Sequence, residues 1–342
     1  MSSNVLSTKA KARYGNRILQ DAYMELARKQ TIGDVVTYLK QKSSYSEAFQ
    51  DANPRIIHRQ EVESILNQEY YRRCAGLLRF APKEKKQFYY MEIMGIEINV
   101  ILEKIATITT MPEAFQVNVS QYVADHASFD LRGLINVDTH KELVAFLKNT
   151  KYSFLIEGID FEMPINFNKL NKEFMEFYYR TYFKAIKKNF SNKTKSDLLE
   201  ILSMSIDLRN LAKLVRYKTY FPDEANEVIL QSLFLKYSRI SKESYQELLE
   251  AKSIEALYSM IKERIRYSDA SQLAPDTSIE ESVAFVRYHM CRHFLYLTSD
   301  DAVAYLAYTM LAKIEIDNLI HIIEGIRYGR DGASIESLLI YS

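Results

Sequence analysis

The sequence predicts an all-α fold, and three observations carry that prediction. Nine glycines and six prolines in 342 residues are too few for the turns of an all-β chain of this length. Leu, Ile, Tyr and Phe recur between charged residues at helical spacing. In 62–78, Val62, Ile65, Leu66, Glu69 and Tyr70 share one face. The third observation is that one pattern is written three times.

Each copy opens on a helix-capping side chain. Thr31, Asp138 and Ser253 each stand fourteen residues before a tyrosine, Tyr45, Tyr152 and Tyr267. Thr, Asp and Ser accept a bond from the N–H groups that a helix start leaves orphaned. A long helical hairpin follows, marked by Tyr70-Tyr71-Arg72, Tyr178-Tyr179-Arg180 and Arg287-Tyr288-His289. Turns are expected at Ala81–Lys86, Asn189–Lys195 and Thr298–Asp301, where breaker and polar residues cluster. The returning helices carry the sharpest repeat: Ile96-Glu97-Ile98-Asn99-Val100-Ile101, Ile206-Asp207-Leu208-Arg209-Asn210-Leu211 and Ile314-Glu315-Ile316-Asp317-Asn318-Leu319, at offsets of 110 and 108 residues. Of the segments preceding the units, 1–30 and 222–252 read as helical and 111–137 as the least regular. A period this long suggests triplication of a small helical domain, with repeats at about 1–110, 111–221 and 222–342 within one domain, 1–342.

Charge and cysteine usage narrow the function classes. Forty-five Lys and Arg against 44 Asp and Glu give no basic excess for nucleic acid and no acidic tail. Cys74 and Cys291 are the two cysteines, with no CxxC pair. That excludes a disulfide scaffold and fits a reducing compartment. The first residues lack the apolar core of a signal peptide, and no apolar run reaches the ~18–20 residues of a membrane span. A soluble, cytoplasmic chain is the expectation.

The third copy carries a family resemblance. Ala312-Lys313-Ile314-Glu315-Ile316-Asp317-Asn318-Leu319, followed by Ile322-Ile323-Glu324-Gly325-Ile326-Arg327-Tyr328, resembles the C-terminal signature of the C/d family of V-type ATPase subunits. Ile206–Leu211 is similar to that family's middle repeat, and Lys9-Ala10-Lys11-Ala12-Arg13-Tyr14-Gly15 to its N-terminal helix. The resemblance covers nearly the whole chain. It implies a pseudo-threefold funnel of three helical-bundle units, its base on the proteolipid rotor ring and its socket around the central stalk. It implies a non-catalytic, peripheral subunit that turns with the rotor and carries torque between ATP chemistry and H+ or Na+ transport. No cofactor is implied. Val100, standing where the other copies have Asn210 and Asn318, departs from the pattern.

Candidate site residues follow from the repeat. Arg72 and Glu97, Arg180 and Asp207, and His289 and Glu315 lie about equally far from their turns, so each pair is expected to meet across its hairpin and fix register. Alternatively, the three acids face a central cavity and meet the stalk. His289 and His293 share a helix face, but Cys291 lies off it and aligns with Cys74 and Tyr182, so a packing position is expected and no metal. Phosphate loops, HExxH and GxSxG are absent, leaving an enzyme reading without a residue to stand on. Lys83, Lys85 and Lys86 mark the first turn, and Lys184, Lys187, Lys188, Lys193 and Lys195 the second. They form either a solvated face or contacts to the rotor ring or membrane headgroups. A helical adaptor unrelated to rotary ATPases is the rival reading.

Overall fold

The computed structural model describes residues 4–110, 119–161, 163–265 and 278–341. Among them are seventeen α-helices, three short 3-10 turns and no strand, so the protein is all-α. The helices are α1 (Val5–Gly15), α2 (Gln20–Ala27), α3 (Ile32–Lys42), α4 (Arg59–Leu78), α5 (Lys86–Tyr89) and α6 (Met91–Thr110). Then come α7 (Gln121–His126), α8 (His140–Leu147), α9 (Ser153–Glu157), α10 (Phe167–Asn189) and α11 (Asn192–Tyr220). The last are α12 (Asn226–Ser232), α13 (Lys242–Leu249), α14 (Ile254–Arg264), α15 (Ile279–Leu297), α16 (Asp301–Arg327) and α17 (Gly332–Glu336). Each expected turn spans a break between long helices, although in the second only 190–191 are non-helical and Asn192–Lys195 already belong to α11. No described helix is long and apolar enough to cross a membrane.

Capping chemistry sets the short helices. Thr31 opens α3 in a capping box: its hydroxyl accepts from Asp34 N–H while the Asp34 carboxylate accepts from Thr31 N–H. Ser253 caps α14 through Ala256 N–H. In the second copy the cap is Thr139, one residue beyond the expected Asp138. A capping box needs an acceptor three residues on. Thr139 has Glu142 there, whereas Asp138 has Lys141. Tyr45 and Tyr152 are both fully buried; Tyr267 lies outside the described residues.

Contacts group the chain into two compact units, Met1–Phe80 with Asn192–Ser342, and Ala81–Ser191. These bounds differ from the repeat bounds read from the sequence. In the first unit α16 is central: seventeen of its 27 residues are buried, with α1, α4, α11 and α15 packed around it. A helix apolar on nearly every side belongs in an interior, and Ala302, Ala304 and Ala307 let neighbours come close. The helix ends in a Schellman motif: Gly329 takes φ +66°, Arg330 N–H donates to Gly325 C=O and Gly329 N–H to Ile326 C=O. Gly325 itself leaves space for Ile335 of α17, which a Cβ would approach to 2.5 Å.

In the second unit α5 and α6 pack on α10. Phe88 meets Tyr182 at 5.6 Å and Phe190 at 4.9 Å between ring centres. Phe129 and Phe177 set their rings edge-on to Tyr152. Such pairs add to the area they bury.

Removing the observed cap, Thr139→Ala, is expected to cost about 1 kcal/mol, read from urea midpoints followed by circular dichroism. Asp138→Ala should shift the midpoint far less; the opposite order would return the cap to Asp138.

Candidate functional site

The three repeated acids are interior residues of long helices: Glu97 in α6, Asp207 in α11 and Glu315 in α16, all buried. A helix has already used its own mid-chain N–H groups in i→i−4 bonds. A buried carboxylate must therefore take donors from elsewhere. Each of the three does so from a segment outside its own helix.

Glu97 accepts from the backbone N–H of Ser128 and from the Tyr152 hydroxyl at 2.5 Å, with Lys151 Nζ at 2.7 Å. Glu315 repeats this arrangement. It accepts from Ile18 N–H at 3.0 Å and from the Tyr45 hydroxyl at 2.5 Å, while Arg73 Nη1 donates at 3.2 Å. Tyr45 and Tyr152 are held alike: Tyr45 N–H donates to Ser43 Oγ and Tyr152 N–H to Thr150 Oγ1, each two residues back. Asp207 accepts from Ser238 Oγ at 2.5 Å and Arg239 N–H at 3.1 Å, and Ser238 in turn meets the Tyr245 hydroxyl at 3.2 Å.

The donors of Glu97 and Asp207 lie 31 or 32 residues after the acid at their backbone contacts. The donors of Glu315 instead lie at the start of the chain, 297 and 270 residues back. The last long helix thus holds the first short-helix segment.

Two asparagines extend this clamp. Asn318 Oδ1 accepts from Ile340 N–H at 2.9 Å, and its Nδ2 donates to Ile340 C=O at 2.7 Å. Asn210 Oδ1 accepts from Phe234 N–H at 2.9 Å, and its Nδ2 donates to Tyr245 Oη at 3.3 Å. Val100 is buried in the first copy and has no group for such bonds.

Arg72, Arg180 and His289, the basic residues expected opposite these acids, have contacts of their own within their units. Arg72 pairs with Glu69 at 2.6 Å and Glu47 at 3.4 Å, and Arg180 lies over the rings of Phe154 and Phe177. The His289 ring lies 4.2 Å from that of Phe285. The contact of Cys291 Sγ with Met310 Sδ at 3.5 Å sets the α15–α16 register, roughly one helical turn short of opposing His289 to Glu315. Cys291 is buried, as are the aligned Cys74 and Tyr182, and burial pushes its thiol up to about 12. His293 is exposed.

The cation that does reach Glu315 is Arg73, 13% exposed where Arg72 is 58% exposed. Arg73 also donates to Glu69 Oε1 at 2.6 Å and lies 4.0 Å over the Tyr45 ring. The signal was present in the sequence: the face through Val62, Leu66 and Glu69, continued one turn, reaches Arg73 and not Arg72. Lys151 and Ser238, on irregular segments, gave no periodic signal.

Burial shows in the electrostatics of two of the acids, Asp207 and Glu315. Burial raises the Asp207 pKa, opposed by the Ser238 and Arg239 donors. Burial also raises that of Glu315, with Arg73 and Tyr45 opposing. Tyr45 and Tyr152 are both raised by burial and by the carboxylate that each faces. Beside Glu315 a cavity of about 30 Å³, lined among others by Arg17, Tyr23, Tyr288 and Asn318, has room for a water or two.

The family description ATP synthase (C/AC39) subunit matches residues 6–338. The chain belongs to the ATP synthase (C/AC39) subunit family. Membership makes it a subunit of the V-type rotary ATPase complex. No curated protein is similar enough in sequence to add to that assignment.

Of the lysines in this C/AC39 subunit, Lys83, Lys86, Lys184, Lys187, Lys188 and Lys193 are exposed, and Lys85 and Lys195 half-buried. Lys85 lies over the Phe190 ring at 4.7 Å and Lys86 over Tyr90 at 4.6 Å. Thr194, between Lys193 and Lys195, donates to Asp300 at 2.7 Å.

Tyr45→Phe removes one donor to a buried carboxylate and is expected to cost about 1.5–3 kcal/mol, measured by urea unfolding. A loss under about 0.5 kcal/mol, the low end for a single hydrogen bond, would mean that Arg73 and Ile18 suffice. Asp207→Asn tests the pH linkage, since the amide oxygen can keep both donors. With its folded pKa above the unfolded ~3.9, Asp207 stabilises most below the unfolded value, and that contribution is lost as pH rises through the folded one. The wild type should therefore lose stability relative to Asp207→Asn as pH rises from about 4; a constant difference between their urea midpoints would refute the shift.

Proposed function

We propose that this C/AC39 subunit is the non-catalytic connector between the proteolipid rotor ring and the central stalk. On this reading a single domain of three homologous units, at about 1–110, 111–221 and 222–342, closes around a pseudo-threefold axis as a funnel. Its base rests on the ring, its socket holds the stalk foot, and it carries torque between ATP chemistry in the head and H+ or Na+ movement in the membrane. It acts at the cytoplasmic face, peripheral to the bilayer, and binds no cofactor.

One observation supports this reading above the others: Glu315, in the last long helix, takes its donors from Ile18 and Tyr45 at the start of the chain. Glu97 and Asp207 hold the segments that follow them. Three holders with the last serving the first is the connectivity of a closed ring of units, which an open solenoid lacks. The pairing of the three acids with Arg72, Arg180 and His289 is not needed for it. A collar must also resist deformation, and tightly packed helices around α16 suit that demand.

The ends of the first unit fit the same role. Leu297 is 74% exposed and Tyr296 51%. Both lie at the α15–α16 turn beside α1, since Lys11 Nζ donates to the Tyr296 and Thr298 carbonyls. On this reading the exposed apolar tip is offered as a contact surface for a partner subunit.

Tagged protein pulled from detergent-solubilised membranes is expected to bring down the proteolipid subunit and stalk subunits together. Particle images of the isolated chain should show three lobes around an open centre. Recovery of other partners without the proteolipid would favour the adaptor, and a filled globule would remove the funnel.

A further inference from the structure

In the second unit two lysine clusters far apart in sequence come together. The 3-10 turn Lys83–Lys85 and α5 both pack on α10, and Phe88 and Lys85 meet Tyr182 and Phe190 near its C-terminal end. This brings Lys83, Lys85 and Lys86 to the end of α10 that carries Lys184, Lys187 and Lys188. Glu84 is the one acid in 81–91, and 177–191 contains none. Among the described residues none of the six lysines forms an ion pair. Lysines in the last turn of α10 offset the helix dipole, which explains Lys187 and Lys188 but not the rest.

We propose that this end of the second unit is a docking surface for the anionic headgroups of a lipid bilayer. The chemistry favours a lipid surface over an acidic protein partner. All six residues are lysine, a compact point charge suited to a diffuse negative surface. A protein carboxylate partner is more often met by arginine, whose fork binds it bidentately. The charge is six lysines against the single Glu84 and sits at helix ends, with the ammonium groups of Lys85 and Lys86 lying over the rings of Phe190 and Tyr90. Juxtamembrane lysines of this kind supply binding that falls off within a Debye length. The proposal rests on membership in a membrane ATPase complex and on the patch, and does not need the funnel.

The test uses the full-length purified chain and sedimenting vesicles of phosphatidylcholine, alone or with about one third phosphatidylserine. The wild type is expected to bind the anionic vesicles at low ionic strength, to release with added salt, and to ignore the neutral ones. The triple variant Lys184→Glu, Lys187→Glu, Lys188→Glu should lose binding on the order of a hundredfold, and the corresponding triple change to Gln should lose less. A matched triple reversal at exposed Lys242, Lys252 and Lys262 should change little. Equal binding to both vesicle types, or equal loss in patch and control variants, overturns the proposal. So does a wild type that ignores anionic vesicles but binds polyglutamate through these lysines, which would make the partner an acidic protein. The wild-type comparison between vesicles stands even if a variant fails to fold. Failure here leaves recovery of the rotor ring by pull-down untouched.

Discussion

A carboxylate buried in the middle of a helix cannot be satisfied by that helix, and this constraint organises the protein. Glu97, Asp207 and Glu315 sit in helices whose mid-chain amides are already committed, so each requires donors carried in by another stretch of backbone. Those donors are a main-chain N–H and a hydroxyl in every case: Ser128 and Tyr152, Arg239 and Ser238, Ile18 and Tyr45. The short, irregular segments, whose own hydrophobic faces are small, are anchored to long rigid helices at these points. An apolar residue in place of the acid would fill space but would not select which segment docks or in what register.

The three sites solve the charge problem differently. Glu97 meets a cation from its docked segment, Lys151; Glu315 meets one from a neighbouring long helix, Arg73. Asp207 takes its hydrogen bonds from a hydroxyl and a backbone N–H, and burial raises the pKa of both Asp207 and Glu315. Around Glu315 burial works against the Arg73 charge, but Tyr45, Glu315 and Glu69 together hold the guanidinium above its ordinary range. Four ionisable groups share one interior there, which is tolerable because each is hydrogen-bonded by its neighbours.

The helical class, the long helices and their turns were legible because apolar periodicity and breaker residues are local signals. The repeat exposed the acids themselves, since a charge recurring inside an aliphatic run is hard to place on a surface. Their partners were not legible. Distance from a turn predicts apposition only if the hairpin register is known, and packing such as Cys291 on Met310 fixes that register. Alignment with Arg180 points to Arg72, whereas the helical face through Glu69 points to Arg73. The cap lies at Thr139 and not Asp138 because a capping side chain alone does not fix the position; the reciprocal partner Glu142 does.

The contact of Glu315 with Ile18 and Tyr45 has a consequence for biosynthesis. Ribosomes deliver the N-terminal helices first, yet the residue that completes their burial is among the last to emerge. At ~5–20 residues per second the wait is roughly 10–60 s. During that interval the N-terminal cluster of Val35, Leu39, Tyr45 and Phe49 lacks the α16 side chains that pack against it in the finished protein. The nascent chain therefore presents an apolar, unfinished surface for most of its translation, a natural point of engagement for chaperones and the stage at which aggregation competes most directly with folding.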